Sequence, residues 1–273
     1  MKAASKCMFF VPFLYALHTR MGNGIIALLK WLSEYVIPTF LVTLLVANGS
    51  FAVWFDFALM LVLTYTLYEV GYMYNDAYTI KREQHPTLRL NEQELVFFYK
   101  YEWLIISFRL LLSGLLSVFI LWKYEYSSIA CMTVVAAWCI LFVYAIFNSV
   151  RSHVSFLLHT LLLLLRYSVP WLLFSHDSLP VILAFVFFLY PLPNMMENIA
   201  RNKYGINYAF TRIYLSHYDR RYLFRVRYYL VVVTATMILL FFGLIPFGYL
   251  LLAAYFFVYE CFFYVLYGKK RSV

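Results

Sequence analysis

Apolar runs long enough to cross a bilayer follow one another along almost the whole chain, roughly over residues 24–47, 51–74, 100–122, 127–147, 154–174, 178–194, 228–245 and 247–267. About 20 residues of helix, rising ~1.5 Å each, match the ~30 Å hydrocarbon layer. Inside hydrocarbon the backbone must satisfy its own hydrogen bonds, which leaves helices or a closed barrel. Barrel strands alternate apolar and polar residues over ~10 positions, and these runs, rich in Leu, Phe and Tyr, do not alternate. Composition removes the soluble alternative, since 64% of the chain is hydrophobic and 13% charged, against about 45–50% and about 25% in soluble domains. The expected fold is all-α, a polytopic transmembrane helix bundle in which residues 1–273 form a single transmembrane domain. Only Gly243, Pro246 and Gly248 separate the last two runs.

Charge tests the count. Eight spans place both termini and the second-to-third, fourth-to-fifth and sixth-to-seventh connections on one side. That side collects Lys2, Lys6 and Arg20; Lys81, Arg82, Arg89 and Lys100; Arg151; Arg201, Lys203, Arg212, Arg220, Arg221, Arg225 and Arg227; and Lys269, Lys270 and Arg271, which is 18 of the 22 basic residues. The opposite side holds Lys123 alone. The positive-inside rule makes the basic side cytoplasmic. Both termini and the long loops 75–99 and 195–227 are then cytoplasmic, in what is expected to be a bacterial inner membrane. This asymmetry accounts for most of the formal net charge of +9, so no nucleic-acid partner is expected. Residues 1–23 carry Lys2 and Lys6 before a short apolar stretch but lack a small-residue cleavage site, and are expected to form an interfacial segment that stays attached. Cys7, Cys131, Cys139 and Cys261 show no ligand-type spacing and read as small hydrophobes.

A few charges fall inside the runs, where each is costly unless it faces a partner or a cavity. Lys30 and Glu34, four apart on one helix, suit a mutual ion pair. Arg109 shares a face with Glu102, two turns away and out of direct reach; Glu69 and Glu260 also lie in spans. Arg166 is expected to point inward and, with Arg151, to hold an anionic substrate group; the alternative is structural bonding to carbonyls or a buried acid.

Two polar loops carry the chemistry. The first reads Gly71-Tyr-Met-Tyr-Asn75-Asp76-Ala-Tyr-Thr79-Ile-Lys81-Arg82-Glu83-Gln-His85-Pro86-Thr-Leu-Arg89. If the second helix runs past Tyr74, then Glu69, Asp76 and Glu83 recur two turns apart as an acidic stripe leaving the membrane. Stacked oxygen ligands suit a hard cation such as Mg²⁺, with Lys81, Arg82 and Arg89 available to phosphate. A solvated helix end of mixed charge fits the same residues. The second loop reads Pro191-Leu-Pro-Asn194-Met-Met-Glu197-Asn198-Ile-Ala-Arg201-Asn-Lys203-Tyr204-Gly205, with Glu197 and Arg201 spaced for an intrahelical ion pair and Gly205 as its stop. Both loops open to the same compartment, and acids facing each other across a cavity would make a metal-bridged diphosphate site. Acids gathered without a cation would repel, so neutralising Asp76 is expected to leave the metal-free protein unchanged or slightly more stable.

At these residues the chain resembles the UbiA superfamily of intramembrane prenyltransferases, whose first motif is Asn-Asp-x-x-Asp-x-x-x-Asp followed by basic residues and Arg-Pro. Asn75 and Asp76 match, Thr79 replaces the middle Asp, Glu83 replaces the last, and Leu90 stands where the family usually has Pro. The second loop is similar to the family's Asp-x-x-x-Asp before Lys-aromatic-Gly, with Glu197 at the first acid, Arg201 at the second, and Lys203-Tyr204-Gly205 in place. His85-Pro86 and the stretch Tyr144 to Trp171 resemble the subgroup that makes polyprenyl-phosphate-linked pentose.

The resemblance implies a UbiA-like bundle of about eight to nine spans. It implies catalysis at Asp76 and Glu197, Mg²⁺ held by Asn75, Asp76, Glu83 and Glu197, and phosphate or substrate contacts from Lys81, Arg82, Arg89, Arg151, Arg166, Arg201 and Lys203. Thr79 and Arg201 depart from the family pattern and point to one metal, with Arg201 as a direct phosphate clamp. The function implied is Mg²⁺-dependent transfer of a prenyl group from a polyprenyl diphosphate to an acceptor. Two alternatives stay open: phosphoribosyl-type transfer from a sugar diphosphate to a polyprenyl phosphate, and a noncatalytic membrane scaffold or transporter. The expected partners are the polyprenyl substrate and membrane lipids.

Overall fold

The computed structural model describes residues 6–22, 24–82, 88–150, 154–175, 179–200 and 221–268. These residues contain eight helices long and apolar enough to cross a membrane: Leu28–Val46, Phe51–Ala77, Glu92–Lys123, Ser128–Ser149, Val154–Leu172, Leu179–Ile199, Tyr222–Phe241 and Phe247–Leu266, here the first to eighth spans. The protein is all-α and of the integral multi-pass type.

Local chemistry sets the span ends. The second span continues to Ala77, so Asn75 and Asp76 ride on its last turn. The third begins at Glu92 rather than near residue 100, because Asn91 and Glu94 form a capping box: Glu94 N donates to Asn91 Oδ1 at 2.9 Å and Asn91 N to Glu94 Oε2 at 3.0 Å. Hydropathy measures the apolar stretch, whereas the helix starts at its cap. This helix departs from regular geometry at Tyr101 (φ −117°, ψ 15°). In the first span the turns widen to π-type over Leu32–Val36 next to Pro38, whose ring and missing N–H disfavour regular α geometry. Gly243, at φ 68°, makes the break between the seventh and eighth spans.

The chain divides into two compact units, Met1–Arg151 with Leu165–His176, and Ser152–Leu164 with Asp177–Val273. In the first unit the second span is central. Gly71 lets the fourth span close onto it, since a Cβ there would lie 2.2 Å from Tyr144 Cγ.

The N-terminal segment is held against the spans. Its Met8, Phe9, Tyr15 and Ala16 are buried against Met73, Ala77, Phe98 and Ile105 of the second and third spans and Trp31 and Tyr65 of the first and second. Residues 8–16 therefore pack against the ends of the spans through buried side chains. Buried polar partners, described next, draw them in.

In the second unit the seventh and eighth spans pack through Tyr229 and Phe256, stacked with centroids 5.3 Å apart. The Tyr229 hydroxyl donates to the Leu189 carbonyl at 2.6 Å, tying in the sixth span.

Candidate functional site

The second span carries two buried acids on one face, Glu69 and Asp76, two turns apart. Each is met by a guanidinium from elsewhere. Glu69 accepts from the backbone N–H of Ala16 at 2.7 Å and of Phe13 at 3.1 Å. Its Oε2 lies 2.9 Å from Arg109 Nη1, with both side chains fully buried. That contact is a close ion pair rather than an aligned hydrogen bond, because Nη1 has no hydrogen-bond partner. Arg109 spends its remaining donors on the carbonyls of Phe9 (2.9 Å), Met8 (3.3 Å) and Val11 (3.1 Å). The pair thus pins the N-terminal segment. Phe13 takes a left-handed φ of 75° there, costly for a bulky side chain.

Asp76 is saturated. Arg20 forks onto it, Nη1 to Oδ2 at 2.8 Å and Nη2 to Oδ1 at 2.9 Å; Arg89 Nη1 donates to Oδ1 at 3.1 Å and the Tyr15 hydroxyl to Oδ2 at 2.9 Å. Asn75 Nδ2 adds a longer contact of 3.3 Å. A carboxylate offers about four lone-pair sites, and protein donors fill them. Burial, then the Asp76 charge, push the Tyr15 hydroxyl well above its usual pKa, which keeps it a donor. Burial is the largest single influence and opposes the Arg20 charge, but the bonds to and charge of Asp76, together with Tyr72 and Tyr144, raise its pKa on balance. The expected repulsion among acids is therefore replaced by attraction: neutralising Asp76 strands two guanidiniums and should lower stability in the absence of metal.

The Arg20 guanidinium also lies 4.1 Å over the Tyr72 ring. Tyr72 also meets Arg166, which donates from Nη1 to the Tyr72 hydroxyl at 3.5 Å and from Nη2 to the Tyr65 hydroxyl. Its Cζ is 4.7 Å from the Tyr35 centroid and 5.2 Å from those of Tyr65 and Tyr68. Nε has no hydrogen-bond partner, and no ion pair to a carboxylate is formed among the described residues. Arg166 is thus a buried cation held by tyrosine faces and hydroxyls, within three turns of Asp76 along the second span.

In the second unit Glu197 is not left free either. Arg225 donates from Nε to Glu197, from Nη1 to Glu260 at 2.9 Å and from Nη2 to Asn194 Oδ1 at 3.3 Å. This resolves the intramembrane Glu260 as half of a shared ion pair.

Of the residues picked from sequence, Asn75, Asp76 and Arg89 come together, and Arg166 joins them through Tyr72 and Arg20. Lys81 turns instead to Tyr99, its Nζ 4.7 Å from that ring. Glu83, Arg151, Arg201, Lys203 and the Arg82 side chain lie outside the described residues, and with them the expected Glu197–Arg201 pair. Among the described residues no group of three His, Cys, Asp or Glu side chains is placed to hold a metal. Lys30 and Glu34 do pair, at 3.8 Å.

Sequence reasoning missed Tyr15, Arg20 and Arg225. In sequence Arg20 and Arg225 read only as topology, and nothing local marks them, because their partners lie 56 and 28 residues away. Comparison with family models, curated proteins and solved structures finds no match.

Proposed function

We propose that the chain is a UbiA-like membrane transferase that moves a prenyl group from a polyprenyl diphosphate to an acceptor with Mg²⁺. The observation that carries this reading is the surplus of guanidinium around Asp76. Among the described residues Arg20 and Arg89 both bind that one carboxylate, and Arg166, linked to Arg20 only through Tyr72, pairs with no carboxylate and has a donor to spare where an unpaired cation is expensive. A diphosphate supplies the missing negative charge, and arginine forks match phosphate oxygens.

The donors around Asp76 fit a cation on one condition. Arg20 or Arg89 must leave its oxygens, after which Asp76 and Asn75 are hard oxygen ligands of the kind Mg²⁺ takes, with water completing its shell. The two requirements agree, since an arginine released from Asp76 is freed to bind diphosphate. Bound there, Mg²⁺ would neutralise charge on the leaving diphosphate. The released arginine would orient the diphosphate oxygens as the bond between prenyl C1 and oxygen breaks, the electron pair departing with diphosphate. The acceptor then forms the new bond to C1 and gives up its proton to the departed diphosphate.

The pairing of Asp76 with Arg20 and Arg89, and of Glu197 with Arg225, favours a second reading, a noncatalytic scaffold in which these ion pairs are final. Thermal unfolding of the detergent-solubilised protein separates the two. Ligand at about 100 times its Kd contributes ~2.7 kcal/mol, or a rise of roughly 5–10 °C, for Mg²⁺ with diphosphate together. Asp76→Asn should remove that rise. Arg166→Met should lower turnover of labelled polyprenyl diphosphate far more than the midpoint. No rise and no turnover in the unaltered protein would decide for the scaffold.

A further inference from the structure

The third span carries a second feature that neither the acids nor the proposed chemistry uses. Over its first turns, residues 93, 96, 97, 100 and 101 fall at three- and four-residue spacing and so share one face. With Lys6 from the N-terminal segment, that face lines a groove of about 500 Å³, within the range of small-ligand sites. Lys6 Nζ sits 5.6 Å from the Phe97 ring and Lys100 Nζ 5.4 Å from the Tyr101 ring. Both lysines are exposed, and neither forms an ion pair with a carboxylate among the described residues. Glu92 at the groove's edge offsets one of the two charges, leaving a net +1 in the lining.

What lies below the groove indicates the occupant. From Tyr101 the same face continues as Leu104, Phe108, Leu111, Leu115 and Val118, each exposed and each three or four residues from the last. This apolar stripe runs about 25 Å along the helix, most of the hydrocarbon thickness. A cationic, aromatic-walled groove at one end of an exposed apolar stripe has two halves, and a phospholipid has the matching two. The irregular turn at Tyr101 falls where they meet.

We infer that this groove binds the phosphodiester headgroup of an anionic phospholipid, with an acyl chain along the stripe. The net +1 lining complements a single phosphodiester charge. Lys6 and Lys100 flank the phosphate, and the Phe97 and Tyr101 rings meet the glycerol and upper acyl region, the usual place of aromatic residues at the interface. This site is independent of the transferase reading, since it shares no residue with Asp76 and its partners.

Native mass spectrometry of the delipidated full chain tests it, with phosphatidylglycerol and phosphatidylcholine of equal chain length added back. The expected result is a preference for phosphatidylglycerol on the order of tenfold, lost in Lys6→Gln/Lys100→Gln. It should survive in Lys269→Gln/Lys270→Gln, which removes the same charge elsewhere, and in the charge-preserving Lys6→Arg/Lys100→Arg. Excess inorganic phosphate should not displace the lipid. Equal binding of phosphatidylcholine, retention of the preference in the groove variant, equal loss in the Lys269 and Lys270 control, or loss in the arginine variant overturns the assignment. Displacement by inorganic phosphate would instead make the groove a free-phosphate site.

Discussion

Replacing Glu69 by Gln should release the N-terminal segment from the bundle. The carboxylate holds that segment in two ways, by accepting the Phe13 and Ala16 amides and by neutralising Arg109, which in turn binds three carbonyls of the same segment. A neutral amide leaves Arg109 buried without a counter-charge, and breaking one partner of a buried pair costs about 3–5 kcal/mol. At roughly 2–4 °C per kcal/mol, the thermal midpoint should fall on the order of 10 °C. Strain adds to the effect, since the left-handed Phe13 is held in place by these bonds. Arg109→Met should cost a similar amount by stranding Glu69. The double variant Glu69→Gln/Arg109→Met should recover part of the loss, because it removes both charges together. A direct readout comes from Ala16→Cys in a background lacking the native cysteines. Ala16 is 2% exposed, so the introduced thiol should resist a maleimide and become labelled once Glu69 is altered. Midpoints within about 1 °C of the parent, or a thiol that stays protected in both single variants, would refute the idea that this pair anchors the segment.

Gly71→Ala should destabilise the first unit by about 1–3 kcal/mol despite the ~0.5–1 kcal/mol gain in helix propensity, because the new methyl meets the Tyr144 ring; thermal denaturation should show Tyr144→Ala relieving it in the double variant. Arg225→Met should destabilise the second unit by removing the cation that two buried carboxylates share, whereas Glu197→Gln, which leaves Arg225 paired with Glu260, should cost less in the same assay. Arg20→Gln empties two of the donor positions on Asp76, so under the proposed function Mg²⁺ alone should raise its midpoint more than the parent's, while the further response to diphosphate shrinks.

How far these features can be read from sequence depends on how far apart the partners lie. Spans follow from local hydropathy, and the extension of the second span past Tyr74 follows from seven-residue spacing, so both are legible in Tyr74-Asn75-Asp76 and its neighbours. Lys30 and Glu34 are legible for the same reason, since one helix turn brings them together. The Asn91–Glu94 capping box was equally local, and its signature lay in plain view outside the apolar window. Nothing local reveals that Arg109 reaches Glu69 or that Arg20 reaches Asp76. A cation near a span end reads as topology, and only the folded chain shows that it also answers an acid.

That ordering of partners bears on what the site is for. In the first unit the three buried acids of the second span are each matched by a cation from another segment, Glu69 by Arg109, Asp76 by Arg20 and Asp56 by Lys123. Such pairs need no ligand to explain them, since membrane burial demands compensation wherever an acid occurs. Arg89 is partly open to water and can be compensated there. Among the described residues Arg166 is the buried charge left over. It lies among Tyr35, Tyr65, Tyr68 and Tyr72, whose rings and hydroxyls soften its burial without cancelling its charge, and its Nε stays unpartnered. A scaffold gains nothing by keeping that cation, because methionine would fill the same space without the desolvation cost. An enzyme that must draw an anion into the bundle gains the attraction itself, so the proposed transfer chemistry rests on Arg166 more than on the acids of the two motifs.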